Sequence, residues 1–189
     1  MKQIQSLKAL FFLFVFSMTM SSCSKDDIST NDNVTNITVK LKSTTNELDK
    51  VYIDIEDVQL KIKEGGNDSS NWLSLNAINQ GTYNASDLEE ENPLLLVDDF
   101  EVEANYVYEI RLVLGDNNFI DIDNILYSLD VSLLGNANPS NLLKLQLNPK
   151  RRYDVVIDID VDESVSFNEE ENTMVLNPKL YTAIRQIEY

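Results

Sequence analysis

The stretch from Arg152 to Val161 constrains the fold more than any other part of the chain. Tyr153, Val155, Ile157, Ile159 and Val161 alternate there with Asp154, Val156, Asp158 and Asp160. A repeat of two puts the apolar set on one face of a β-strand and the carboxylates on the other; a helix would scatter both around its circumference. A strand that is greasy on one side and charged on the other belongs to a sheet with one covered face.

The same period recurs along the chain. Ile37, Val39 and Leu41 alternate with polar residues, as do Val51, Ile53 and Ile55. Val58, Leu60 and Ile62 continue that second run after a one-residue slip at Glu56-Asp57, which predicts a β-bulge. Trp72–Leu75 follows the turn cluster 65–71, and Leu94–Val97 is apolar on both faces, so it reads as a covered strand. Tyr106–Leu114 predicts a strand with Tyr106, Tyr108, Ile110, Leu112 and Leu114 as its inner row, ended by Gly115-Asp116-Asn117-Asn118. Weaker strands are expected at Leu126–Leu133 and Leu142–Leu147, and a last one at Lys179–Ile187 after Pro178. Helical spacing is nowhere sustained; Leu88–Glu91 is expected to make one turn before Pro93 stops it. Eight or nine short strands in about 150 residues predict one antiparallel β-sandwich, long enough to bury a core without staples.

The N-terminus has a different character. Lys2 and Lys8 precede a mostly apolar run from Ala9 to Met20, then Ser21, Ser22 and Cys23. Twelve helical residues span about 18 Å against a hydrocarbon core of about 30 Å, so residues 1–22 read as a signal peptide. Met20-Ser21-Ser22-Cys23 resembles the lipobox of bacterial lipoproteins, with Met20 and Ser22 at positions more usually leucine and glycine or alanine. The expected attachment is a diacylglycerol thioether on Cys23, carrying palmitate-type acyl chains. The competing reading is an ordinary secreted protein cut near Ser22 or Ser24. Lys25-Asp26-Asp27 resembles the surface-export signal of Bacteroidetes lipoproteins, although any lipoprotein tether is polar and often acidic. Residues 23–36 are expected to be the lipidated cysteine and a flexible tether, and 37–189 the folded domain. Fully extended, the thirteen residues after Cys23 reach about 43–47 Å. The expected address is the outer membrane, lipid-anchored and facing outward, with the periplasmic face as the alternative.

Charge and composition exclude several functions. There are 32 acidic residues against 15 basic ones, for a net charge of −17. Nucleic acid would be repelled, and docking on anionic head groups by charge is disfavoured, which leaves the lipid as the membrane link. Cys23 is the one cysteine, so no internal disulfide forms. Histidine is absent, which removes the commonest general base, metal ligand and triad member.

Oxygen-rich clusters are the remaining candidates for chemistry. Asp158, Asp160, Asp162 and Glu169 fall at the first, third, fifth and twelfth positions of a calcium loop, but Glu163 stands where that loop needs glycine. Carboxylates two apart on a strand are about 6.6–6.8 Å apart. Calcium bonds of about 2.3–2.6 Å cannot easily gather three of them. The bland reading is a solvated acidic face. Asp116, Asn117, Asn118, Asp121, Asp123 and Asn124 form another patch, of a composition that also suits turns. Arg111 is expected to pair with Asp154 or Asp158 on a neighbouring strand. Among Trp72, Tyr83, Tyr106, Tyr108, Tyr127 and Tyr153, core packing is expected for Tyr106, Tyr108 and Tyr153, and Trp72 is the candidate for an exposed sugar-stacking ring. Asn33, Asn36, Asn67 and Asn84 open Asn-x-Ser/Thr triplets, which carry little meaning in a bacterial lipoprotein.

Several segments together resemble a known family: Val51–Leu60, Gly81–Asn84, Tyr108–Asn118, Tyr153–Val165 and Leu176–Leu180. They resemble the DUF4382 family of bacterial lipoproteins, with Ile110-Arg111-Leu112-Val113-Leu114-Gly115-Asp116-Asn117-Asn118 the most distinctive run. The resemblance covers about residues 36–187 and implies a transthyretin-like or immunoglobulin-like sandwich, with no assigned activity and no assigned site. The family tends to place a glycine-containing turn where this chain has Asn148-Pro149-Lys150-Arg151-Arg152. The functional expectation is a non-enzymatic binding or adhesion module without cofactor, its partner an envelope protein or a glycan. The alternative is a structural or accessory subunit of an envelope or fimbrial assembly.

Overall fold

The computed structural model describes residues 32–45, 48, 50–66, 68–131 and 138–187. The expected signal peptide, Cys23, Lys25, Asp26, Asp27, Asn67 and the end of the expected 126–133 strand lie outside the described residues. Strands follow in the order β1 (Val34–Thr44), β2 (Val51–Lys61), β3 (Trp72–Ser74), β4 (Gly81–Asn84), β5 (Leu94–Glu103), β6 (Tyr106–Leu114) and β7 (Phe119–Ile122). Then come β8 (Ile125–Asp130), β9 (Ser140–Gln146), β10 (Arg152–Asp160), β11 (Val165–Asn168), β12 (Thr173–Leu176) and β13 (Lys179–Ile187). One helical turn, α1 (Val161–Ser164), links β10 to β11.

These strands form two sheets, in the order β13-β10-β1-β5 and β11-β12-β8-β7-β2-β6-β9, with β3 and β4 both paired to β2. The fold is an all-β sandwich. Its core is the alternating apolar set: Ile37, Val39 and Leu41 of β1 and Tyr153, Val155, Ile157 and Ile159 of β10 are buried on one side. Val51, Ile53, Ile55, Val58 and Leu60 of β2 and Ile110, Leu112 and Leu114 of β6 are buried on the other. The hydrophobic gain of closing these faces against each other holds the two layers together. The bulge expected in β2 is present: Ile55 pairs with Leu114 and Asp57 with Val113, leaving Glu56 as the extra, exposed residue.

The structure differs from the expectation in several ways. The sheets are mixed rather than antiparallel, because β1 pairs with β10, and β12 with β8, in parallel. Strand β1 begins at Val34, inside the expected tether. There the Asn36 amide and the Thr35 hydroxyl both donate to the Arg151 carbonyl, at 3.0 and 2.7 Å. The strands β4, β7, β11 and β12 add to the eight or nine expected. Each has four residues, too few to display a period; β4 and β7 are held by β2 and β12 by β8, far off in sequence, and β11 by its hairpin with β12. Val107 rather than Tyr106 or Tyr108 is buried at the start of β6. The pairing of β6 with β9 slips between Val107 and Glu109, which breaks the alternation there. Both tyrosines are half-buried, with ring centroids 4.7 Å apart. Leu88–Glu91 forms no helix; the helical turn falls just earlier, at Ala85–Asp87, capped by the Asn84 side chain.

Candidate functional site

The acidic strand β10 distributes its carboxylates among separate tasks. Asp154 faces Lys40 at 3.1 Å and Asp158 faces Lys42 at 3.2 Å, both across the parallel ladder to β1. Thr44 also donates to Asp158. Lys42 is held above the usual lysine range, first by its hydrogen bond to Asp158 and then, against some desolvation, by the charges of Asp158 and Glu90. Asp160 caps α1 by accepting from the Glu163 amide at 3.0 Å. Asp162 accepts from the Leu48 amide at 3.0 Å. Asp158, Asp160 and Asp162 therefore do not converge. Among the described residues no group of three His, Cys, Asp or Glu side chains is placed to hold a metal.

The oxygen-rich patch of residues 116–124 splits in two. Asp123 and Asn124 both have positive φ, 54° and 64°, and form the two-residue turn joining β7 to β8. Two left-handed residues are what a tight hairpin of this hand requires. Asp121 pairs with Lys50 at 3.4 Å. Asn117, Asn118 and Gly115 instead build a clasp around Asp54 in the middle of β2. Asn118 is fully buried; its side-chain oxygen accepts from the Asp54 amide at 2.9 Å and its amide group donates to the Gly115 carbonyl at 2.7 Å. The Asp54 carboxylate accepts from the backbone amide and from the side-chain amide of Asn117, both at 3.2 Å. A side chain on Gly115 would have its Cβ 2.8 Å from the Asp54 Cγ, so glycine leaves the space the carboxylate fills. Asp116 is exposed beside the clasp.

Arg111 does not reach β10, which lies in the other sheet. Its guanidinium donates to Gln59 Oε1 at 2.9 and 2.5 Å and stacks 4.0 Å from the Trp72 ring centre. Desolvation in this packing lowers its pKa, partly opposed by Asp57 and Glu109. Lys61, on the other side of the ladder, lies 5.6 Å from the same ring and pairs with Glu109 at 2.7 Å. The register explains the cluster: Trp72, Lys61 and Glu109 form one cross-strand row, and Ser74, Gln59 and Arg111 the next but one. Trp72 is half-buried and already covered by a cation, which favours packing over sugar stacking. Tyr153 is buried as expected, with its hydroxyl accepting from the Asn148 amide and donating to Gln186.

The feature that sequence reasoning missed is an apolar shelf. Ile120 pairs with Tyr127 and Ile122 with Ile125, so these four share a face with the next alternating residue, Leu129. Leu129 pairs with Met174, and Met174 with Phe167, which extends the face across β12 to β11. Ile120 and Leu129 are buried, but Ile122, Ile125, Tyr127 and Phe167 are 42, 56, 42 and 54 % exposed. The larger sheet thus runs past the smaller one and leaves part of its core face open. A groove of about 460 Å³ lies there, between Ile122, Tyr127, Phe167 and Met174. Leu126, 63 % exposed, sits on the opposite face of the same hairpin. Alternating apolar residues on both sides of Asp123-Asn124 were the available signal for it; no such signal marked Phe167.

A family model described as "Domain of unknown function (DUF4382)" matches residues 32–178. Neither the curated proteins nor the solved structures yield a match to the chain. The match takes in the strand pair that carries the acidic ladder, the glycine–asparagine clasp and the shelf, so the chain belongs to the DUF4382 family.

Proposed function

We propose that the protein is a lipid-anchored, non-enzymatic binding or adhesion module of the outer membrane, displayed outward on a tether from Cys23. The shelf carries this reading. Exposed apolar side chains gathered on one open face mark an interaction surface, whereas single exposed hydrophobics carry no such meaning. Ile122, Ile125, Tyr127 and Phe167 are gathered in this way. Asp154, Asp158, Asp160, Asp162, Asn117, Asn118, Asp121 and Arg111, flagged in the sequence, are engaged in ladders, caps, a clasp and cross-strand pairs, which supports binding rather than catalysis. The partner is an envelope protein or a glycan.

Two experiments test the proposal. Capture of proteins and glycans by the purified chain is expected to fall to background in Ile125→Asp and Phe167→Asp; capture unchanged by both would refute the shelf's role. Cys23→Ala is expected to release the protein from membranes and to abolish labelled-palmitate incorporation; retained labelling would refute the anchor. An alternative reading, a subunit of an envelope assembly, is favoured by one observation: β13 is a nine-residue strand at the edge of its sheet, paired to β10 without a bulge.

A further inference from the structure

The groove on the shelf lies where two strands part. Strand β12 pairs with β8 in parallel only at Met174–Leu129 and Val175–Asp130. Toward the start of both strands the ladder stops, and the groove of about 460 Å³ opens there. Consecutive residues line it from both sides: Tyr127 and Ser128 of β8, and Asn172 with Thr173 and Met174 at the head of β12. Neighbours in a strand point to opposite faces, so the groove straddles the edge of β8 rather than lying flat on one face. The Leu129 amide donates to the Asn118 carbonyl, just before β7, at 2.8 Å. By antiparallel alternation the amide and carbonyl of Leu126 turn the other way, toward the gap. Among the described residues no strand pairs with Leu126 on that side. The hydroxyl of Thr173, on the facing wall, is buried without a hydrogen-bond partner among the described residues.

The surroundings of the groove carry one sign of charge. No lysine or arginine occurs between Arg111 and Lys144, or between Arg152 and Lys179. Those two intervals contain the whole of β7, β8, β11 and β12. The turn joining β11 to β12 holds Glu169, Glu170 and Glu171, all exposed, and Asn172 at its end lines the groove. Asp123, also exposed, sits at the tip of the β7–β8 hairpin next to Ile122. Lys50 reaches this hairpin but is paired with Asp121 at 3.4 Å. Apolar walls, an open backbone edge and an acidic rim thus occur together.

We infer that the groove takes an extended polypeptide segment whose bulky apolar side chains are flanked by lysine or arginine. This rests on the shelf's role as a binding surface and chooses between its two classes of partner, a protein rather than a glycan. The backbone edge is the first reason. A residue with both its amide and its carbonyl turned outward is the unit by which one strand joins another, and Leu126 is such a residue. The side chains are the second. A segment laid along β8 sets alternate side chains against Ile125 and Tyr127 on one face and against Leu126 on the other, which accounts for exposed apolar residues on both faces of one hairpin. Charge is the third. Basic groups beside those side chains meet Glu169, Glu170, Glu171 and Asp123, and opposite potentials across an interface speed encounter and fix register. A neutral glycan draws nothing from such a rim, and an acidic one is repelled by it.

The test selects a random linear octapeptide library, displayed on phage, against the full-length chain, and measures the enriched sequences as synthetic peptides by fluorescence anisotropy. Enriched sequences are expected to carry lysine or arginine beside bulky apolar residues, and their binding to fall to background in Phe167→Asp. Glu169→Gln, Glu170→Gln and Glu171→Gln combined are expected to weaken binding about tenfold. The same loss of three charges at Glu64, Glu101 and Glu103 is expected to leave it unchanged. Those residues lie toward the end of β2, whereas β7 pairs with its start. No enrichment, enrichment without basic residues, or equal weakening by the two triple changes would each overturn the inference. Glycan capture abolished by Phe167→Asp, with no peptide enriched, would sink it while leaving the shelf as a binding surface. Capture of proteins, glycans and peptides alike untouched by Phe167→Asp and Ile125→Asp would sink both.

Discussion

Residues 115–118 and 122–127 are close in sequence and opposite in nature. Segment 115–118 is polar and has the composition of a ligand site, yet Asn118 is fully buried and its side chain ties the Asp54 amide to the Gly115 carbonyl. Segment 122–127 has the composition of ordinary strand and turn, yet Ile122, Ile125, Leu126 and Tyr127 are largely uncovered. Polar groups taken out of water must find partners, so oxygen-rich residues are drawn into the internal wiring of the fold. Apolar groups left in water gain from being covered, so an open shelf is where a partner finds free energy. Composition alone reads the two segments the wrong way round.

Substitutions separate the two regions. Asn118→Ala removes both hydrogen bonds and leaves a buried amide and a buried carbonyl unpaired; it is expected to destabilise by about 3 kcal/mol in urea unfolding. A loss under about 1 kcal/mol would show that the clasp is dispensable. Gly115→Ala drives a methyl group into the Asp54 carboxylate and should cost about 2 kcal/mol, less than Asn118→Ala because the carboxylate can shift. Lys150 stands between these extremes. It has φ of 58° in the turn before β10, a conformation that favours glycine, and Lys150→Gly is expected to stabilise by about 0.5–1 kcal/mol. No gain in the unfolding midpoint would mean that the lysine's own contacts outweigh the backbone strain.

On the shelf, Ile125→Ser should move stability by no more than about 0.5 kcal/mol in either direction while reducing partner capture. A large destabilisation there would mean that the hairpin belongs to the core after all. The smallest effect belongs to Lys42 and Asp158. The lysine pKa is raised in the folded state, so the stability it contributes is complete below the usual lysine range and is lost as pH rises through the raised value. Titrating thermal midpoints upward from about pH 9, wild type should converge on Lys42→Met above about pH 10.4, from a gap below about 0.5 kcal/mol.

Much of the fold was legible where a run was long enough to show its period. Strand β10 has nine residues and an unbroken alternation, and the phase slip at Glu56-Asp57 locates the β2 bulge without reference to any partner strand. The inner row of β6 is misread at Tyr106 and Tyr108, because the slip that buries Val107 arises in its pairing with β9. Arg111 is given the wrong partner for a related reason. Alternation states which face a side chain occupies, and Gln59 and Trp72 become its neighbours only through strand pairing.

Strand content, covered faces, strong negative charge and the lack of histidine follow from residue type and spacing along one chain, and need no knowledge of which strands meet. Tertiary structure decided the parallel pairing of β1 with β10, the enclosure of Asp54 by residues more than sixty positions away, the charge order across the four-stranded sheet and the open end of the larger one. Each of those depends on which strands lie side by side and how far one layer covers the other. Chain-closure entropy grows only slowly with loop length, so the sequence permits many such pairings, and the packing of one shared core selects among them.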